Sequence, residues 1–550
     1  MAIYQQTIIK KQIYMKKSIL LAVAIAVSGT LFAQKDSLNA VINVENDYTP
    51  VVTKANKKGF TPQTEQATGN TPLELEFSQK ATPFKGFTSE RDIVELLPTQ
   101  KQGLPGYVRI GYGTGNNVDG KISYQYDITK RDNIKAMASI EGFSSEIDGP
   151  VKKWDSRMFN SWVSTDYQHR FDNLILGASA NFGNNVFNYQ GCNILDKQNN
   201  QKFNAEVNGV SQLAGPFSYK FSAGYSRNLY KHTDGMSKSR SQNRMYVKGL
   251  LSHEIDNQQL SNINLGFDLN NYTYGGPVEL DNFVSANFNP YTDIFFNHTK
   301  LHIGANVSLL SNNGSLFAIA PDLSLESAIS KALTLYIDIK GGRKASTFEA
   351  MEQVSPYWIN ILDKPAYTIA DVTTGTRISH ENLSIDLYAG YAYTKDDFLG
   401  YDVDVIDRFD DVFEVISAIG QENTTQIYVG ANAAYDYEGW LKLSANSRYT
   451  HWKCDKNILL ATKPEFELGL NAESRFLDDF YITLAYNFAT YGNDTPSKNK
   501  NELNLRTSYK FMDRIGAFIE GNNLLNREYV KYAGYYEQGI NILLGLSATF

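Results

Sequence analysis

The last eleven residues of the chain, Ile540 to Phe550, alternate between two kinds of side chain with one exception. Every second residue counted back from the carboxyl terminus is apolar: Phe550, Ala548, Leu546, Leu544, Ile542 and Ile540. The residues between them are small or polar, apart from Leu543. A period of two places the two sets on opposite faces of a β-strand. A strand that is apolar towards lipid, polar towards a lumen, and terminal is typical of the closing strand of a transmembrane β-barrel.

The same alternation recurs in segments from residue 106 onward, for example where Leu333, Leu335, Ile337 and Ile339 interleave with polar residues. Short polar connections separate pairs of these segments, at 130–132, 171–173, 214–216, 255–257, 297–299, 330–331, 380–382, 437–439, 477–479 and 512–514. Longer ones lie between them, at 186–199, 344–364, 396–423 and 453–463. Short turns on one rim and long loops on the other are the pattern of outer-membrane barrels. Ten short turns predict an all-β, antiparallel transmembrane barrel of about 22 strands, within two because Pro290 and Pro321 interrupt two segments.

The amino-terminal part has a different organisation. Lys16 and Lys17 precede an apolar run from Ile19 to Val27, and small residues follow it up to Ala33. This is the pattern of a secretory signal, predicted at residues 1–33 with Met15 as the possible true start, and the run is too short to span a membrane as a helix. Residues 34–105 hold six of the 15 prolines, which predicts an extended periplasmic or lumen-occupying segment. The barrel is therefore predicted at 106–550, in the outer membrane.

Three groups of side chains are candidates for a role in this barrel. Alternation points charged residues into the lumen, among them Asp338, Lys340, Asp386, Glu467, Arg475 and Arg506, either as structural pairs or as a solute-selective ring. The predicted loop at 396–423 contains Asp402, Asp404, Asp407, Asp410 and Asp411, which are weak calcium candidates or a solvated acidic surface. Cys192 and Cys454 fall in predicted outer loops. The sequence allows either one disulfide between them or two unpaired thiols.

The segment Glu520-Gly521-Asn522-Asn523-Leu524-Leu525-Asn526-Arg527-Glu528-Tyr529, followed by Gly539 and the closing strand, resembles the carboxyl-terminal motif of the TonB-dependent outer-membrane receptors. The resemblance implies an active transporter of iron chelates, cobalamin or glycans, driven from the inner membrane. Receptors of that family carry a plug domain of well over a hundred residues before the barrel. Since only 34–105 is available here, the chain resembles a plug-less relative of them.

These patterns leave two hypotheses on function. The first is a receptor or channel that passes solutes, and the second is a non-transporting scaffold of an envelope assembly with a periplasmic tether. Partners are outer-membrane lipid and a periplasmic protein or lipoprotein held by 34–105 or by the outer loops. The formal net charge of −7 does not indicate nucleic-acid binding. The seven histidines are dispersed, and no catalytic or cofactor-binding signature stands out, so no enzyme activity or cofactor is predicted.

Overall fold

A computed structural model of the chain describes residues 105–148, 153–190, 198–211, 216–232, 239–256, 261–276, 281–296, 298–312, 314–358, 360, 362, 364–406, 413–456, 460, 463–477, 479–492 and 499–550. The predicted signal segment and residues 34–104 lie outside these ranges. No helix within them is long and apolar enough to cross a bilayer.

Nearly all of the described chain is β-structure. The first twelve strands are β1 (Gly106–Gly113), β2 (Val118–Asp127), β3 (Asp132–Asp148), β4 (Lys153–Arg170), β5 (Leu174–Phe187), β6 (Gln198–Ser211), β7 (Phe217–His232), β8 (Arg240–Asp256), β9 (Ser261–Gly275), β10 (Phe283–Phe296), β11 (Thr299–Leu310) and β12 (Phe317–Ala328). The others are β13 (Leu333–Lys344), β14 (Ala366–His380), β15 (Leu383–Ile406), β16 (Phe413–Tyr437), β17 (Leu441–Cys454), β18 (Pro464–Leu477), β19 (Phe480–Tyr491), β20 (Lys500–Met512), β21 (Ile515–Asn522), β22 (Val530–Tyr532), β23 (Tyr535–Tyr536) and β24 (Asn541–Thr549). One 3₁₀ turn (Thr114–Asn116) and one short helix, α1 (Phe348–Glu352), complete the described elements.

The strands form a closed antiparallel ring. Strands β1 to β21 pair in sequence order, β21 pairs with β24, and β24 pairs with β1, which makes a 22-stranded sheet. At the seam, the Gly106 amide donates to the Phe550 carbonyl at 2.8 Å, and the Phe550 amide donates to the Gly106 carbonyl at 2.9 Å. The predicted all-β barrel of about 22 strands is confirmed, and β22 and β23 form a separate two-stranded hairpin.

The outer face of the ring is apolar. Leu544 and Leu546 of β24 are 57% and 58% exposed, whereas Leu543, the residue before Leu544, is 5% exposed and faces inward. Ile540, Ile542 and Phe550 are exposed as well, and Ala548 is partly exposed. A closed barrel with no free edge and an apolar outer face satisfies every backbone group inside lipid. The described chain is therefore an outer-membrane β-barrel.

The ten short connections occur where the sequence predicts them, and all lie on one rim. Glu381 and Glu438 adopt positive φ values of 48° and 50° in two of these turns, and Gly439 follows at 73°. The other rim carries the longer connections, including 188–197, 345–365 and 455–463. Long loops face the cell exterior in such barrels, so this second rim is the outer mouth.

The prediction that Pro290 and Pro321 interrupt strands is wrong. Pro290 lies inside β10 and Pro321 inside β12. The β10–β11 register lapses beside Pro290, where the Asn289 side chain donates to the Ala305 carbonyl instead. Pro321 stands opposite Ala305 in the β11–β12 register, and the β12–β13 pairing starts only at the next residue, Asp322 with Lys340. Proline is tolerated in a sheet where the ladder needs no donor.

The prediction of a long loop at 396–423 is wrong for most of these residues. Strand β15 runs for 24 residues to Ile406, and β16 starts at Phe413 and runs for 25 residues. The outer part of this hairpin pairs only with itself, since β14 stops pairing at Lys395 and β17 at Thr424. Hydrogen bonding between two long strands outweighs the acidic composition that suggested a loop.

Part of the inner wall is built from tyrosines that lie over glycines of the neighbouring strand. A Cβ added at Gly390 would lie 2.3 Å from the ring of Tyr428, one at Gly430 2.4 Å from the ring of Tyr388, and one at Gly375 2.6 Å from the ring of Tyr336. The absence of a side chain at these three positions gives each ring room to lie flat on the wall.

Candidate functional site

Residues 345–365 join β13 to β14, and we call this connection the lid. Its described residues, which exclude 359, 361 and 363, fold into the outer mouth. Thr347 caps α1, since its hydroxyl accepts from the Ala350 amide at 3.1 Å. Phe348 and Met351, one turn apart on α1, are both 0% exposed. The helix is too short to be stable alone, so its packing against the barrel holds it.

The first anchor of the lid is an aromatic cluster against β7. The ring centroid of Phe348 lies 5.4 Å from that of Tyr230 and 5.1 Å from that of Trp358. Trp358 lies 4.8 Å from Tyr230, and the Arg240 guanidinium sits 4.7 Å from its ring. Edge-on and tilted aromatic pairs of this kind add to the free energy of burial. This end of the lid is therefore fixed to β7 and β8.

The second anchor is Tyr357. Its ring lies 5.0 Å from Phe187 of β5, and its hydroxyl is 3.1 Å from the Met158 sulfur of β4. It also stacks on Tyr535 of the hairpin β22–β23, which we call the outer hairpin. Burial raises the pKa of the Tyr357 phenol, so it stays protonated at neutral pH. In the order of the ring, β4 and β5 are nearly half a turn away from β13, so the lid crosses the mouth.

Polar contacts tie the lid to β16. The Ile419 amide donates to Asn360 Oδ1 at 2.8 Å, and Asn360 Nδ2 donates to the Ile419 carbonyl at 2.6 Å. The Ser355 and Ser417 hydroxyls are 2.9 Å apart and both residues are buried. These contacts satisfy backbone groups of β16 that no neighbouring strand reaches. Lid and outer strands therefore form one hydrogen-bonded unit.

The outer hairpin is held in place by its own charged pair. Lys531 Nζ lies 3.1 Å from the Glu537 carboxylate. The proximity of Glu537 raises the pKa of Lys531. Gln190, from the β5–β6 connection, donates to the Tyr536 carbonyl at 3.0 Å and accepts from the Tyr536 amide at 2.8 Å. The hairpin thus joins the lid on one side and the barrel wall on the other.

A cavity of about 270 Å³ lies between α1 and the inner wall of β8 to β11 and β13. Gln242 of β8 accepts from the first amide of α1, at 3.3 Å from Phe348 N. Arg244 and Lys248 line the cavity further along β8, closer to the rim with the short turns. The cavity is therefore on the lumen side of the lid.

The predicted lumen charges do not converge on one site. They lie on four strands, β13, β15, β18 and β20. Asp386 accepts from the Tyr336 hydroxyl at 2.9 Å, and Arg506 pairs with Glu520 at 3.1 Å. The Arg475 guanidinium lies 5.8 Å from the Tyr481 ring, while Asp338, Lys340 and Glu467 stand opposite Thr373, Asp322 and Arg448 in the register.

The calcium candidates and the cysteines are only partly described. Asp402 and Asp404 belong to β15, while Asp407, Asp410 and Asp411 lie outside the described residues. No group of three metal-ligating side chains occurs in the part of the chain that the structure describes. Since none of the five aspartate side chains is described, calcium stays a prediction. Cys454 is buried at the end of β17, and Cys192 lies outside the described residues.

Sequence reasoning missed the lid and one histidine cluster. His302 Nδ1 lies 2.9 Å from Asp293, and its Nε2 lies 3.4 Å from Asp322, on three adjacent strands. Asp293 and Asp322 lie on either side of His302 in the sequence, on the two neighbouring strands, and the register of β10 to β12 brings the three together. For the lid, the signal available in sequence was its apolar content, with Phe348, Met351 and Trp358 in one outer connection.

Comparison with known proteins identifies this architecture. No family model and no curated protein matches the sequence. Among solved structures, the siderophore receptor PirA from Acinetobacter baumannii is 10% identical, with 81% of this chain and 80% of that chain covered and a TM-score of 0.63. The barrel has the fold of outer-membrane siderophore receptors.

Two further structures agree with this likeness in fold. A variant of the ferric enterobactin receptor PfeA from Pseudomonas aeruginosa is 12% identical, covers 81% of this chain and 80% of that chain, and gives a TM-score of 0.61. The copper transporter OprC is 10% identical, covers 82% of this chain and 80% of that chain, and gives a TM-score of 0.60. At such identities the likeness concerns the fold.

Proposed function

We propose that this chain is an outer-membrane receptor or transporter through which a solute passes, with the lid as the closing element of its outer mouth. The observation that carries the proposal is the lid itself. It reaches from β13 to β4 and β5 across the ring and is buried against them. An unblocked barrel of 22 strands would leave a wide aqueous hole in the outer membrane, so a solute pathway of this width requires a closing element.

The likeness in fold supports the same function. The similar structures are named as siderophore receptors and as a copper transporter. A receptor that admits its solute from outside needs a mouth that closes over the lumen and opens again. The TonB-like motif at 520–529 further supports uptake that is energised from the inner membrane, with residues 34–105 as the segment that meets periplasmic partners.

The proposal is tested by single-channel conductance of the purified chain in planar bilayers. One variant replaces residues 346–364 by a short Gly/Ser linker, and a second lacks residues 34–104. The control replaces residues 149–152, which join β3 and β4, by Gly/Ser. We expect small currents from the wild type and the control, and large steady currents once the lid is replaced.

A third variant lacks both the lid and residues 34–104. It tests whether the two segments block the same pathway. Currents that appear only in this double variant would show that both segments close the same pathway. A folded double variant that never conducts would contradict a solute pathway through the barrel.

A further inference from the structure

The cavity on the lumen side of α1 is lined by more cationic than anionic side chains. Four cationic side chains line it, Arg244, Lys248, Arg343 and Lys344, against the two carboxylates of Asp268 and Glu349. Its volume of about 270 Å³ is far above what one water molecule needs. A small organic solute or an inorganic oxyanion therefore fits inside it.

Arg343 is already occupied by the wall. It donates to the Ser315 carbonyl at 2.7 Å and to the Phe317 carbonyl at 3.1 Å. Arg244 is not occupied to the same degree. Its Nε donates to Asn270 at 2.7 Å, but its terminal nitrogens lie 3.7 Å from Glu349 and 4.0 Å from Asp268. Since both distances exceed a hydrogen bond, the two-nitrogen edge of this guanidinium has donors to spare.

Lys248 and Lys344 complete the cationic side of the cavity. Lys248 stands opposite Asp268 in the β8–β9 register, yet it forms no ion pair within 4.0 Å among the described residues. Its ammonium lies 5.4 Å from the ring of Tyr246. Lys344 donates to Gln353 at 2.8 Å, a neutral partner. Neither ammonium group is matched by a close carboxylate.

A hydroxyl group on the same wall also lacks a partner. Ser308 lines the cavity and is 6% exposed, and its hydroxyl makes no hydrogen bond within the described part of the chain. A buried polar group without a partner costs free energy unless a ligand or an ordered water satisfies it. Ser308 lines the same cavity as the cationic groups, so a ligand held there is a candidate partner for its hydroxyl.

We propose that this cavity binds a small solute bearing an oxyanion group, a carboxylate or a phosphate. Arg244 binds one edge of the oxyanion with two nitrogens, Lys248 and Lys344 supply point charges, and Ser308 donates its hydroxyl. The inference rests on the proposed function, because the cavity then lies on the path of the solute immediately below the lid. On this inference, the solute that passes through the barrel is a small anion.

The test is isothermal titration of the full mature chain in a non-ionic detergent with inorganic phosphate, citrate and glucose. We expect saturable binding of phosphate or citrate and none of glucose, with the two anions showing which oxyanion group the cavity prefers. Lys248→Gln and Arg244→Gln should each weaken binding at least tenfold, and Ser308→Ala by a few fold. Lys442→Gln removes a lumen cation of β17 outside the cavity and should leave binding unchanged.

Two results would overturn this inference. One is the absence of saturable anion binding to a folded wild-type chain, and the other is equal weakening by Lys442→Gln and Lys248→Gln, which would indicate general attraction by lumen charge. Because Ser308→Ala changes no charge, its effect separates a built site from such attraction. The two proposals can fail separately. If the chain binds anions but the variant without the lid and without residues 34–104 never conducts, the anion site stands and the proposed function is refuted. If that variant conducts but the chain binds no anion, the proposed function stands and the anion site is refuted.

Discussion

Tyr357 of the lid lies flat against Tyr535 of the outer hairpin, with ring centroids 3.4 Å apart and planes inclined by 5°. Both residues are buried. The two rings come from connections at 345–365 and 523–540, so this stack joins two separate outer loops across the mouth. The closed mouth depends on both loops together.

Breaking this stack should open the barrel. An aromatic pair contributes about 0.5–1.5 kcal/mol beyond its buried area, so Tyr357→Ala should raise the ratio of open to closed channel roughly two- to thirteenfold. Tyr535→Ala should act in the same direction, and the double variant should add less than the sum. Tyr509→Ala, on the exposed side of β20, is the control. Fully additive effects in single-channel records would mean that the two rings do not hold the mouth as a pair.

Alkaline pH should loosen the same closure. Burial raises the pKa of Tyr357, and Glu537 raises that of Lys531. Groups with a raised folded pKa contribute stability fully below their unfolded pKa and lose it as pH rises through the folded value. Since unfolded Tyr and Lys titrate near about 10 and 10.4, the mouth should stay closed to about pH 10 and open more often above it.

Conductance at pH 8 and pH 11 measures this effect. Tyr357→Phe keeps the ring and removes the ionisable hydroxyl, so this variant should lose part of the alkaline response. If it responded as strongly as the wild type, ionisation of Tyr357 would have no part in opening.

The glycines beneath the wall tyrosines should not tolerate a methyl group. Gly390→Ala and Gly430→Ala place a Cβ 2.3 and 2.4 Å from the rings of Tyr428 and Tyr388, and should each lower the free energy of unfolding by about 1–3 kcal/mol. Gly342→Ala is the matched control, because nothing lies within 4 Å of a Cβ there. Urea unfolding in detergent or lipid vesicles measures all three. If Gly342→Ala were as destabilising as the other two substitutions, contact with the tyrosine rings would not be the cause.

The closing strand should reject charge on its outer face. Leu544 is 57% exposed, on the same face as Leu546. Leu544→Arg should cost about 2–4 kcal/mol if this position lies near the bilayer midplane, and Leu544→Phe should cost little. Folding yield into vesicles, read from the heat-dependent shift of the band on a gel, compares the two. Equal yields would place Leu544 away from lipid.

The sequence predicts strands and turns well because both depend on neighbours along the chain. The alternation of Leu333, Leu335 and Ile337 is visible locally, and so are polar turn residues such as Glu438 and Gly439. The ring of 22 then follows by counting. The count is right, but the expected interruption at Pro290 is wrong, because a proline is tolerated there through the Asn289 side chain and a lapse in pairing with β11.

The site is harder to predict because it depends on contacts between distant segments. Phe348 is a loop residue in sequence, and only the position of Tyr230 on β7 makes it a core residue. The acids of the β15–β16 hairpin favour a loop locally, while the long pairing with β16 decides otherwise. The cavity needs β8, β9, β11 and α1 together, and no period in the sequence reports that convergence.

The two hydrogen bonds between Gly106 and Phe550 have a consequence for biogenesis. Gly106, the first residue of β1, is hydrogen-bonded to Phe550, so the ring cannot close before the chain has been synthesised as far as Phe550. Joining these ends costs about 5 kcal/mol in loop-closure entropy before any seam contact compensates for it. An extension after Phe550 would have to leave past the ring of Phe550, which already covers Gly106. Carboxyl-terminal tags should therefore delay assembly of this barrel more than tags placed in its outer loops.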